Sequence, residues 1–242
     1  MSDAALEEWK TYDDFAHGID TFRRPNVSLA GTKLSISFGI SSHLELSFVD
    51  DETVEWNAQG EITAKSGTSD PYDAVAVRAD ATFINLPLTS VEGEALTIAY
   101  SARTGRVIIA QSVIAAEKIE GTPQVQQNFW AGTVDGSKVI GAEPAESRDL
   151  IGMRNVYRYS PSHLYEHVYI STQRYAWQCL EGVQRGHGDM DLSTVWKLDD
   201  GLYLFCFREF RISVASVWLH DLGYGLNTTG MFLGISASGE SM

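Results

Sequence analysis

From residue 33 onward, apolar and polar positions alternate with a period of two, in short runs rich in β-branched and aromatic residues, the pattern of half-buried strands. Lys33 to Gly39, Leu44 to Val49, Tyr72 to Arg78, Leu96 to Ser101 and Arg106 to Ile114 read as strands, as do Asn155 to Ser160, Leu164 to Ser171, Tyr175 to Leu180, Leu202 to Arg208, Val214 to His220 and Gly230 to Ser236. Pro71, Pro123, Pro144 and Pro161 fall at strand flanks or in loops, where a missing ladder donor is tolerated. Only the start differs. Ala4 to Gly18 spaces Leu6, Trp9 and Phe15 at helical intervals and ends in glycine, which predicts a short N-terminal helix. Many short, regularly spaced strands predict a closed or nearly closed antiparallel barrel.

The pattern also repeats. Shifted by 121 positions, Leu29, Gly31, Lys33, Phe38, Glu45, Phe48 and Trp56 fall without a gap on Leu150, Gly152, Arg154, Tyr159, Glu166, Tyr169 and Trp177. With a one-residue adjustment Thr82 to Asn85 aligns with Leu202 to Phe205, and Leu96 to Tyr100 with Ser216 to His220. The expected organisation is an arm over 1–28, a first β-unit over 29–121 and a second over 138–242, joined through the Gln-containing stretch Gly121 to Lys138.

Composition narrows the function. Eighteen Lys plus Arg against 32 Asp plus Glu give a formal charge of −14, which argues against nucleic acid or an anionic lipid surface as partner. No run approaches the length of a membrane span, and the acidic N-terminus is unlike a secretory signal, so a cytoplasmic location is expected. Cys179 and Cys206 lie in apolar runs and read as small core residues. No dinucleotide, nucleotide-triphosphate or serine-hydrolase motif is present, and no ligand spacing supports a metal; Gly186-His187-Gly188-Asp189-Met190-Asp191 reads as a hydrated turn.

Chemistry concentrates in the second unit, which interleaves aromatics with polar groups: Arg158, Tyr159, Tyr165, Glu166, His167, Tyr169, Trp177, Arg208, Glu209 and His220. Tyr165, His167 and Tyr169 share one strand face, while Glu166 shares the other with Val168 and Ile170. An inward Tyr/His/Tyr face would line a barrel with phenols and an imidazole. An inward Glu166 would be raised in pKa or paired with an arginine. The alternation does not say which face is inward.

Tyr159-Ser160-Pro161, Tyr165-Glu166-His167-Val168-Tyr169, Tyr175 to Val183 (YAWQCLEGV), Leu202-Tyr203-Leu204-Phe205 and Phe207-Arg208-Glu209 resemble the MoaF family, described as molybdenum cofactor biosynthesis protein F. The likeness extends through Trp9, Phe15 to Asp20 and Leu29 to Leu34 into the first unit. It implies an all-β fold of two tandem lipocalin-like (calycin) antiparallel barrels and a small hydrophobic or aromatic ligand. It carries over no assigned catalytic residue. Where the family tends to a Gly-Leu-Ala-Asp-Thr-Asp-like run, this chain has His187.

Two readings follow. In the first, the protein is a cofactor-free lyase, isomerase or cyclase acting on an aromatic or conjugated substrate. Arg158 or Arg208 would hold a carboxylate or enolate, Tyr165 and Tyr169 would orient the substrate, and His167 or Glu166 would move the proton. Tyr159, Trp177, Glu209 and His220 would complete the binding wall. In the second, it is a non-catalytic carrier or accessory protein near molybdenum cofactor synthesis. Exposed strand edges leave homodimer formation open.

Overall fold

The computed structural model describes residues 13–14, 24–62, 68–223, 225–236 and 238–241. Of the expected N-terminal helix, only Asp13 and Asp14 are described, both helical; the rest of Ala4 to Gly18 lies outside the described residues.

The first unit comprises β1 (Lys33–Phe38), β2 (Ser42–Phe48), β3 (Thr53–Gln59), β4 (Thr68–Pro71), β5 (Asp73–Arg78), β6 (Ala81–Pro87), β7 (Glu94–Ser101), β8 (Arg106–Ile114) and β9 (Val125–Val134). They form one sheet in the order β4-β3-β2-β1-β9-β8-β7-β6-β5. Its two outermost strands, β4 and β5, are consecutive in the chain with only Tyr72 between them. The sheet therefore has to curl until its ends meet, giving a nearly closed barrel. β9 corrects the linker expected between Gly121 and Lys138, because Val125–Val134 pairs with both β1 and β8 and closes the barrel wall. Gln126, Gln127 and Asn128 hid it by breaking the apolar run.

The second unit contains β10 (Ala145–Glu146), β11 (Arg154–Ser160), β12 (His163–Tyr169), β13 (Arg174–Glu181), β14 (Gly188–Asp199), β15 (Leu202–Arg208), β16 (Val214–Asp221) and β17 (Asn227–Gly234). β11 to β17 pair in chain order and β10 pairs with β14. Among the described residues no strand joins β17 to β11, so this unit is a half-barrel. The hydrated turn expected at 186–191 gives way at Gly188, where β14 begins; Asp189 and Asp191 are strand residues.

The repeat holds down to individual hydrogen bonds. Gly31 N–H donates to the Phe48 carbonyl at 2.8 Å, and Gly152 N–H to the Tyr169 carbonyl at 2.8 Å. Both glycines have positive φ, 74° and 87°, a conformation that suits residues lacking a Cβ. Trp56 donates its indole N–H to Asp70 at 2.8 Å, and Trp177 does so to Asp191 at 2.9 Å.

The two units pack outer face to outer face. Val77, Phe83, Ala99, Ile108 and Ala110 of the first form one buried cluster with Leu202, Leu204, Cys206, Val217 and Leu219 of the second. Cys179 and Cys206 are buried and unbridged.

Candidate functional site

The alternation left open at the sequence level is decided by burial. Tyr165, His167 and Tyr169 face the interior of the half-barrel, each at most 3% exposed. The reason lies in the packing of the sheet: Tyr165 and His167 meet Tyr159 of β11 on the concave side, and His167 and Tyr169 also meet Phe205 of β15. Across the hollow, Tyr159 stacks on Trp218 at 4.8 Å between ring centroids and Tyr157 on His220 at 4.9 Å. Contacts of this kind each add about 0.5–1.5 kcal/mol beyond area burial, so they rigidify the wall as well as fill it.

The hydroxyls and ring nitrogens form short chains. Tyr157 and Tyr169 share a hydrogen bond of 2.8 Å, and Asn155 donates to Tyr157 at 3.0 Å. Tyr165 donates to Gln184 at 2.8 Å, and the Tyr159 hydroxyl lies 3.0 Å from His167 Nε2. His220 Nδ1 lies 2.6 Å from the Thr228 hydroxyl. Two buried ring nitrogens, His167 Nδ1 and His220 Nε2, have no partner among the described residues.

A narrow cavity opens between these groups, lined by Tyr159, Tyr165, His167, Tyr175, Trp177, Gln184, Phe207, Glu209 and Phe232. It has room for about 20 Å³ of solvent, enough for one water molecule. A larger guest therefore enters only by displacing wall side chains.

Burial opposes charge throughout the interior. Burial, reinforced by His220, pushes His167 down to about 3, and burial alone does the same to His220 at about 3, so both imidazoles are neutral near pH 7. Burial raises the phenols of Tyr159, Tyr165, Tyr169 and Tyr175. Glu209 is raised well above the usual carboxylate range, first by burial and then by Asp191 and Asp189.

Of the residues selected from sequence, Tyr159, Tyr165, His167, Trp177 and Glu209 line the cavity. Tyr169 and His220 lie deeper in the same interior. The other three lie elsewhere. Glu166 faces outward, where Arg154 and Gln178 donate to it and Arg154 lowers its pKa. Arg158 is exposed and pairs with Glu181 at 3.2 Å. Arg208 lies on the outer face of β15 toward the first unit, donating to Gln127 at 3.1 Å and Thr194 at 3.0 Å. Strand parity explains all three: each neighbours an inward residue in sequence and so points the other way. The expected arginine clamp and Glu166 proton shuttle cannot reach this cavity.

Tyr157, Tyr175, Gln184, Phe207 and Phe232 were missed. The repeat holds the signal for the first two. Inward residues Ile36, Phe38, Leu44, Leu46, Phe48 and Val54 of the first core become, 121 positions later, Tyr157, Tyr159, Tyr165, His167, Tyr169 and Tyr175.

Comparison with known proteins agrees with the two-unit architecture. The family model of the MoaF N-terminal domain matches residues 7–116, and that of the MoaF C-terminal domain matches residues 144–242. The chain belongs to the MoaF family. It is 30% identical over 226 residues to Protein MoaF of Klebsiella aerogenes, covering 86% of this chain and 79% of that protein. The unmatched stretch between the two family models contains β9, the strand that closes the first barrel. Among the described residues no three or more His, Cys, Asp or Glu converge as a metal site, and no helix is long and apolar enough to cross a membrane.

Proposed function

We propose that the second unit binds an uncharged aromatic or conjugated small molecule, in the molybdenum cofactor context that the family description implies. One observation carries this reading: the cavity wall includes His167, whose Nδ1 is buried and without a partner among the described residues. A buried polar atom left unpaired costs about 1–3 kcal/mol, and a guest that pairs with it recovers that amount. Whichever tautomer His167 adopts, Nδ1 is left unpaired among the described residues, and a guest that displaces wall side chains can reach it. The first unit, with leucine at the equivalent position in a hydrophobic core, supports no such role.

Titration with phenol and 2-pyridone, followed through tryptophan fluorescence, tests the proposal. Saturable binding that is weakened about tenfold by His167→Leu, the first unit's own residue, is expected. Equal affinity of the variant and the wild type would remove the assignment.

A second reading, a cofactor-free lyase or isomerase, is favoured by one feature: Glu209 and the uncharged His167 line the same cavity, a carboxyl group and a proton acceptor on one wall. It predicts that a bound substrate is recovered chemically changed, by mass spectrometry, and that Glu209→Gln stops the conversion without preventing binding. A cytoplasmic location and pairing through the open edges of β11 and β17 are further parts of this proposal.

A further inference from the structure

At β15 the structure keeps the 121-position offset and corrects the one-residue adjustment expected there: Ile84 and Leu86 of the first core fall on Phe205 and Phe207 of the second, so Glu209, which follows β15, is the counterpart of Leu88, a residue of the first core with 3% exposure. The backbone makes the same bond at both places: Leu88 N–H donates to the Glu94 carbonyl at 3.0 Å, and Glu209 N–H to the Val214 carbonyl at 2.9 Å. The fold thus directs a carboxyl group to where its counterpart buries an isobutyl group.

Around it stand Tyr159 from β11, Tyr165 and His167 from β12, Tyr175 from β13 and Gln184 from the following turn. Among the described residues no cation pairs with it. Arg208 is turned to the outer face, Arg211 is held by Asp189 at 2.6 Å, and Arg174 lies over the Phe210 ring and donates to the Gln173 carbonyl. The charged groups acting on it are Asp189 and Asp191 of β14, both acidic. An ionised Glu209 would place a further negative charge beside these two, with no hydrogen bond to its carboxylate among the described residues.

We propose that Glu209 works as an un-ionised carboxylic acid whose O–H donates to a carbonyl or ring-nitrogen acceptor of the guest, so that it selects neutral acceptors and rejects carboxylates and phosphates. This deepens the binding reading above and rests on it. In the first unit's arrangement, Leu88 leaves no donor at that position. In the second, the Glu209 acid and the His167 ring line one cavity, and a planar guest that displaces wall side chains can meet both.

Two measurements on the full chain decide it. Infrared difference spectra of wild type against Glu209→Gln at neutral pH should show a carboxylic-acid carbonyl band that the variant loses; a carboxylate band in its place overturns the proposal. Wild type should bind 2-pyridone at least about tenfold more tightly than benzoate, Glu209→Gln should keep pyridone affinity within about threefold because its amide still donates, and Glu209→Leu should lose about tenfold. Equal affinity for the two probes, or undiminished pyridone binding by a Glu209→Leu variant that unfolds cooperatively, overturns it. Failure of both probes to bind wild type overturns the parent reading of the cavity, and the infrared band still reports separately on the acid.

Discussion

The two halves of this protein share a framework and differ in filling. Both use the same strand register, the same glycine-supported turn and the same tryptophan-to-aspartate hydrogen bond. The first fills its nearly closed barrel with Ile36, Leu44, Leu46, Val54, Ile84, Leu86 and Leu96, a dry core that serves stability. The second replaces four of these with Tyr157, Tyr165, His167 and Tyr175 and adds Glu209 where Leu88 stood. Hydrophobic burial alone would favour the first solution. The polar atoms of the second cost stability wherever they lack partners, and that cost is what makes its interior receptive to a ligand.

The shared aspartates diverge in the same sense. Burial works against the charge of Asp70, but donors from Ser90, Trp56 and Thr89 outweigh it and hold its pKa below the usual value. Asp191 receives Trp177 and the Phe210 N–H, and burial prevails, raising its pKa. The second unit is therefore less well compensated at the same structural position.

The largest expected contrast is in acid. His167 and His220 are depressed to about 3, so the unfolded chain binds protons from about pH 6.5 downward while the native state refuses them. Stability conferred by their neutral burial is complete above 6.5 and is lost as pH falls toward 3, at about 1.4 kcal/mol per pH unit for each histidine. Glu209 acts oppositely: its raised carboxyl stabilises fully below about 4.5, the unfolded value, and that contribution is lost as pH climbs through the folded value. Near-ultraviolet circular dichroism against pH should lose the second unit's aromatic signal first, and a His167→Leu, His220→Leu variant should flatten the acid limb. An acid limb unchanged by that variant would break the contrast.

Next in size are the framework tryptophans. Trp56→Ala and Trp177→Ala should each cost about 3–5 kcal/mol in urea denaturation, since each removes a buried indole and a donor to a buried aspartate. Similar losses would show that the framework is common to both halves; a tolerated Trp177→Ala would show that the second does not depend on it.

The smallest effect is expected on the outer wall. Glu166→Gln should cost about 1–2 kcal/mol, because the Arg154 partner is 70% exposed but the carboxylate itself only 6%, and should leave 2-pyridone affinity untouched. A loss of binding would mean that Glu166 communicates with the interior through β12.

Much of this was legible in the chain. Periodicity located most of the strands, and the Leu29–Trp56 match to Leu150–Trp177 exposed the repeat. Alternation grouped Tyr165 with His167 and separated both from Glu166. What it lacked was a reference for inside and outside. Leu46 and Leu88 became such a reference for His167 and Glu209 only once the fold placed them in the first core. β9 escaped because its polar residues at 126–128 interrupt the apolar run, while its pairing with β1 joins residues almost a hundred positions apart.

The order of side chains along the strands thus determined the fold class, the duplication and which groups share a face, since a pleated strand sends neighbours to opposite sides whatever surrounds it. Tertiary structure alone decided which face is enclosed, that Arg208 turns to the inter-unit surface while Glu209 turns to the cavity, and that one barrel nearly closes while the other stays open. Those outcomes depend on long-range strand pairing and on which sheet packs against which, and no local run of residues encodes either.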